Sequence, residues 1–359
     1  MALSSPPHQS CSLLTGGVGR WVYSFLKNWT LPVAITVGAG LYFLFAYVPE
    51  LDEVGDALCP VFETLLPLTI FLTLFVTFSK VDFHLMKLHR WQGVVLVVQL
   101  VLVALVVAAV LLLPFREEQE GTMKLVLEAV LICIIAPCAS ASPVVTAKLG
   151  GDLTQMTTFV LLSSTVTSLL IPAVFPLVEP HHVNHYPLAI DEASLSAFHL
   201  SFFKYPFLPA FLTIWKRLAV VLLLPLLLGA MVRHWVKPLY EWFVRTPDLG
   251  FYCWSLSLSI TSGITMRNIM HCSAGAGLLT VIALLTLLTS FFQFFTGRRI
   301  GKAYGEHICT GQAMFQKNTG LAIWIAYTYL TPVASIGAGC YVLWQNAINS
   351  YELWQHRNA

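Results

Sequence analysis

Charge is what this sequence has least of: Asp, Glu, Lys and Arg together make up 11% of its 359 residues, where a soluble domain carries about 25%. A chain that is 57% apolar, with a mean hydropathy of +0.74, cannot face water on all sides. No basic stripe is present either. The 20 Lys and Arg are spread over many short segments and leave a net charge of +2, so no nucleic-acid partner is expected. The eight cysteines include no Cys-x-x-Cys pair and fall mostly within apolar runs; neither a disulfide framework nor a zinc site is expected, and they read as small core residues. The first 30 residues lack a short apolar core followed by a small-residue cleavage site, so the first apolar run itself is expected to direct insertion.

What the sequence has in quantity is apolar runs of about 20 residues, the length that crosses a ~30 Å hydrocarbon core. Backbone groups find no partners in lipid, so such runs must be helical, and they are too uniformly apolar for barrel strands. Spans are expected near 31–49, 57–79, 92–114, 122–147, 153–178, 207–232, 249–267, 274–296, 306–330 and 333–350. The expected fold is therefore all-α, a polytopic membrane protein of ten transmembrane helices. It divides into an N-terminal segment 1–30, a first repeat 31–178, a connecting loop 179–206, a second repeat 207–350 and a tail 351–359.

Lys and Arg concentrate on the side of the N-terminus, including Arg20, Lys27, Lys80, Lys148, Arg233, Arg298 and Arg299, which makes both termini cytoplasmic. The loop 179–206, with His181, His182 and His185, reads as solvated, a metal site being the lesser alternative. Five spans on either side of it invert the second half relative to the first, an arrangement common among secondary transporters.

Two runs break the apolar pattern. In the fourth, Pro137-Cys-Ala-Ser140-Ala141-Ser142-Pro143 interrupts an apolar helix; each proline removes a backbone donor and clashes with the preceding turn, so the helix should unwind and free carbonyls near the bilayer midplane. Freed carbonyls, hydroxyls and half-helix termini suit both a cation and an anion. The plainer reading is a proline kink. In the ninth run, Gln312, Gln316, Lys317, Asn318 and Thr319 are costly in lipid and should face an interior cavity. Lys317 either attracts an anionic solute or snorkels to an interface. Glu128, within the fourth span, is either a counter-ion or proton carrier, or a wet residue near the outer end.

The run from Pro137 to Thr146 followed by Gly150-Gly151-Asp152, then Ser163-Ser164-Thr165 and Pro172, resembles the broken fourth helix and following helix of the bile acid:sodium symporter family. Gln312-x-x-x-Gln316-Lys-Asn-Thr-Gly-Leu-Ala is similar to that family's broken ninth helix, and Phe71 to Phe83 to its second helix. The resemblance covers roughly residues 56 to 350. It implies two inverted five-helix repeats arranged as a panel and a core domain, broken helices four and nine crossing in the core, and transport of a small organic anion with sodium by alternating access. No other cofactor is implied. A bacterial inner membrane fits the compact chain; oligomeric state is not legible.

Carried over residue by residue, the resemblance implies a substrate site at Ser140, Ala141, Ser142, Pro143, Thr146, Gln316, Lys317, Asn318 and Thr319. It implies an ion site at Ser142, Gln312, Gln316, Thr157 and Thr158, to which Glu128 is added as an intramembrane carboxylate. The family's asparagine after the serine is Pro143 here and its glutamate is Gln312, while Met156 and Val160 take the place of hydroxyl ligands and Lys317 reads as an insertion. Fewer oxygens remain for a hard cation. Sodium coupling, proton coupling through Glu128 and uncoupled exchange all stand at this point. An intramembrane enzyme would need a nucleophile beside a base, and His307 is the one histidine placed within a span, near its inner end.

Overall fold

The computed structural model describes residues 30–81, 86–112, 117–179, 207–246, 249–272 and 275–358. The expected N-terminal segment, Asp82 and Phe83 of the second-helix motif, and nearly all of the histidine-bearing loop 179–206 lie outside the described residues.

Among the described residues the chain is helical without a strand. In chain order the main helices are α1 (Thr30–Tyr47), α2 (Asp52–Ser79), α3 (Arg90–Leu112), α4 (Glu117–Ile135), α5 (Ser142–Lys148) and α6 (Leu153–Val178). They continue with α7 (Phe207–Trp235), α8 (Lys237–Arg245), α9 (Leu249–Met270), α10 (Ala276–Lys302), α11 (His307–Phe315), α12 (Thr319–Tyr329) and α13 (Pro332–Asn358). Residues 351–358, expected as a tail, continue the last helix. Within α7, Ala219–Leu223 adopts π geometry just before Pro225, where the missing proline donor and the ring's bulk widen the turn.

Four helices, α3, α6, α7 and α10, are long and apolar enough to cross a membrane, and a fifth span results if Val33–Tyr47 and Pro49–Phe62, bent by 100°, count together. Their outer faces stay apolar: Val97, Val101 and Leu105 of α3 and Leu284, Leu288 and Phe292 of α10 are exposed. Gln92, Gln99, Glu128, Gln293, Gln312, Gln316 and Lys317 are buried. A soluble protein seldom buries Lys, Glu and Gln beneath faces of exposed Leu and Val; that combination fits a chain whose solvent is lipid. The fold is that of an all-α protein suited to a bilayer.

Helices α1, α2, α9 and the second half of α7 pack chiefly on one another, while α3, α4, α10, α11, α12 and α13 pack on one another around the broken segments. Small residues permit the closest approaches: a Cβ at Gly337 of α13 would lie 2.7 Å from that of Ala129 on α4. The turn between α5 and α6 uses Gly150 at φ +85, a left-handed conformation costly for other residues. The carboxylate of Asp152 then caps α6 by accepting from the Gln155 backbone N–H at 2.9 Å.

Tryptophans divide in two groups. Trp235, Trp242 and Trp354 are exposed near helix ends, as interface anchors are. Trp91, at the start of α3, is instead buried. Its indole N–H donates to Gln155 Oε1 at 2.7 Å, and its ring packs on Phe159. A polar handle satisfied by an amide lets the large ring fill the core.

Candidate functional site

The two interrupted runs meet. Helix α4 stops at Ile135, residues 136–141 run as irregular backbone, and α5 starts at Ser142 with Pro143 in its first turn, the position at which a missing N–H costs nothing. Likewise α11 stops at Phe315 and α12 starts at Thr319, with Asn318 capping it by accepting from Leu321 N–H at 3.2 Å. The breaks cross as an antiparallel bridge between Cys138 and Lys317. The Ala139 N–H donates to the Gln316 carbonyl at 2.9 Å, and the Asn318 N–H to the Pro137 carbonyl at 2.8 Å. Two helix ends and two helix starts thereby converge on one buried point.

Each break frees helix-terminal carbonyls that lipid cannot satisfy. Neighbouring side chains take them up. Gln293 of α10 donates to the Cys133 carbonyl at 3.2 Å. Gln99 of α3 donates to those of Ile134 at 2.9 Å and Ala136 at 3.3 Å. Thr167 of α6 reaches that of Ile135 at 3.4 Å. On the other chain segment the Tyr341 hydroxyl donates to the Phe315 carbonyl at 2.7 Å. Gln345 brackets Lys317, accepting from its N–H at 3.0 Å and donating to its carbonyl at 3.3 Å. Ser163 accepts from the Cys138 N–H at 2.9 Å.

Lys317 is 1% exposed. Its ammonium does not snorkel outward; it donates to the Ile134 carbonyl at 3.0 Å, at the negative end of α4. Among the described residues no carboxylate pairs with it. Removing an ammonium from water costs several kcal/mol even after relaxation, and a carbonyl and a helix end offset only part of that.

The residues expected to bind substrate sit at or beside this crossing. Ser140 and Ala141 form the turn into α5, with Ser142 and Pro143 buried behind them. Ser142 Oγ accepts from the Cys138 thiol at 3.2 Å. Thr146 is buried on α5, and its hydroxyl makes no hydrogen bond. Gln316, Lys317, Asn318 and Thr319 supply the opposing segment.

The expected ion ligands do not gather there as one set. Glu128 lies about two turns before the end of α4, about 10 Å along the helix. Its carboxylate accepts from the Thr331 hydroxyl at 3.1 Å and stands 3.9 Å from the Lys124 ammonium, which also pairs with Glu179. Gln312 turns toward α13 and donates to Asn349 at 2.9 Å and to Glu352 at 3.0 Å, Glu352 being paired with Arg298. The hydroxyls of Thr157 and Thr158 bond back to the Leu153 and Thr154 carbonyls of their own helix at 2.7 and 2.8 Å, as hydroxyls in helices commonly do. Of the six, Ser142 and Gln316 lie on the broken segments themselves.

Gln99, Gln293, Tyr341 and Gln345 were not among the expected site residues. A signal for two of the amides is present in the sequence: Gln99 and Gln293 are isolated polar groups in apolar runs, such as Phe291-Phe-Gln293-Phe-Phe295, where lipid would penalise them, whereas Gln345 adjoins Asn346. His307 lines a separate cavity of about 540 Å³ with Arg298, Glu352 and His356, away from the Cys138 and Ser142 pair. No family model and no curated protein matches this chain.

Proposed function

We propose that this protein is a secondary transporter that moves a small organic anion across a membrane by alternating access, with the crossing of the two broken helices as its solute centre. The observation that carries the reading is the antiparallel bridge between Cys138 and Lys317, where the breaks after α4 and α11 meet with a buried ammonium between them. Irregular backbone within a bilayer is tolerated where it is buried in protein or lines a solute path, and discontinuous helices are how many carriers build a midplane site. The ammonium and the start of α12 both favour an anion.

In this reading the helices form ten spans in two inverted five-helix repeats of the bile acid:sodium symporter type. The packing group of α1, α2, α7 and α9 is the panel, and the group around the crossing is the core. Both termini then face the cytoplasm, and a bacterial inner membrane is the proposed location. Movement of the panel against the core would expose the Ser140 to Thr146 and Gln316 to Thr319 segments to each side in turn.

Proteoliposomes holding the purified full chain test this. A panel of labelled organic monoanions and dianions should include at least one with saturable uptake that is stimulated by the same unlabelled anion inside. Uptake no greater than in protein-free liposomes across the panel, with sodium, proton and anion gradients each imposed, would refute the proposal.

A further inference from the structure

A carrier driven by sodium needs a place where oxygens surround a dissociable cation, and the crossing is where its broken helices would offer one. Most of the carbonyls there already accept from donors of the protein itself. Those of Cys133, Ile134, Ile135 and Ala136 accept from Gln293, Gln99, Lys317 and Thr167. Those of Pro137 and Gln316 accept from the bridge, and that of Phe315 from Tyr341. Each such donor occupies one of a carbonyl's two lone pairs, and the Ile134 carbonyl, with Gln99 and Lys317 both on it, has both occupied. The acidic ligand is also missing: position 312 is an amide, and it is engaged with Asn349 and Glu352. The carboxylate of Glu128 is held by Thr331 and Lys124.

Among the described residues one charge remains at the crossing, and it is positive. The Lys317 ammonium sits on the Ile134 carbonyl, 1% exposed and bracketed through its backbone by Gln345. Buried oxygens without a hydrogen-bond partner, Gln99 Oε1, Gln293 Oε1, Gln316 Oε1 and Thr146 Oγ1, belong to residues at or beside the crossing. A second cation entering beside an ammonium meets like-charge repulsion in a medium that screens poorly. The residues present do not fit sodium while the lysine is there.

We infer that the Lys317 ammonium is a tethered cation which takes the place of a dissociable sodium ion at the crossing. The protein thus supplies its own positive charge for the anion and needs no sodium to do so. The inference rests on the crossing being the solute centre proposed above, and it adds a gain-of-function consequence: removal of the side chain frees one lone pair of the Ile134 carbonyl, the other still held by Gln99, and leaves a small vacancy next to the Gln99 amide, whose oxygen is unpartnered.

The test is thermal unfolding of the purified full chain in detergent against sodium chloride, with potassium and choline chloride at equal ionic strength. Wild type should give the same curve in all three salts. Lys317→Ala should gain a saturable rise in midpoint of a few degrees in sodium only, and Lys317→Arg should stay flat. A saturable sodium-specific rise in wild type overturns the inference, and so does an alanine variant as indifferent to sodium as wild type. Should the alanine variant fail to fold, the wild-type titration decides by itself. No substrate enters this experiment, so it separates from the uptake assay. A flat wild type without anion uptake refutes the transport reading and keeps the tethered cation; a sodium-specific rise with uptake does the reverse.

Discussion

The crossing buries a cation and the C-terminal end of α13 half-buries one, and they treat it in opposite ways. At the α13 end Arg298 pairs with Glu352, which in turn accepts from the Gln312 amide, while the guanidinium lies over the Phe294 ring at 5.0 Å. Charge there is cancelled on the spot, and the group acts as a clamp between α10, α11 and α13. At the crossing Lys317 has a carbonyl and a helix end for company, with no carboxylate among the described residues. A paired buried charge is a structural device at best neutral to stability, whereas an uncompensated one persists only where something else uses its field. On the proposed reading, function lies at the crossing and architecture at the C-terminal end of α13.

The contrast can be broken most sharply at Lys317. Lys317→Met removes the buried charge and keeps an apolar side chain of similar reach, so the midpoint of unfolding should hold or rise. Anion uptake should fall by about 100-fold, the equivalent of roughly 3 kcal/mol for a lost charged contact. The reverse pattern belongs to Glu352→Gln. It strands Arg298 beside a neutral partner and should cost about 2 kcal/mol in denaturant titration, the low end for a buried pair because the Arg298 side chain is 30% exposed, with uptake retained.

Gly337→Ala should come next. Its Cβ would meet the Ala129 Cβ at 2.7 Å and its carbonyl oxygen at 2.8 Å, so α4 and α13 must separate, at a cost of about 1–3 kcal/mol. Gln345→Ala leaves both backbone groups of Lys317 without their side-chain partner and should lower stability by about 1–2 kcal/mol. The smallest effect is expected from Glu128→Gln. With Lys317 supplying the charge and Lys124 still paired with Glu179, the pH profile of uptake should be unchanged; a displaced profile would bring Glu128 into transport after all.

Proline and small polar residues make the break after α4 legible from the order of residues alone, because a missing donor inside a helix has one physical outcome. The break after Phe315 carries no proline and is legible only as a polar run in an apolar setting. That the two breaks touch is not deducible from composition or period; it rests on the bridge between Cys138 and Lys317. Glu128 and Gln312 are legible as buried polar residues, but such a residue signals a partner without saying which. Their partners, Thr331 and Asn349, are 203 and 37 residues away. Gln99 and Gln293 are legible as intramembrane amides, but their role of covering helix-end carbonyls depends on how α3 and α10 pack beside α4.

Alternating access at the crossing is tested most directly by a cysteine at Ser140, 7% exposed in the turn between the half-helices, introduced after the native cysteines are replaced. A membrane-impermeant thiol reagent is applied to oriented proteoliposomes from one side and then, in a separate sample, from the other. The account expects labelling from both sides, with each rate reduced by a transported anion. Labelling from one side only, or from neither, would contradict it.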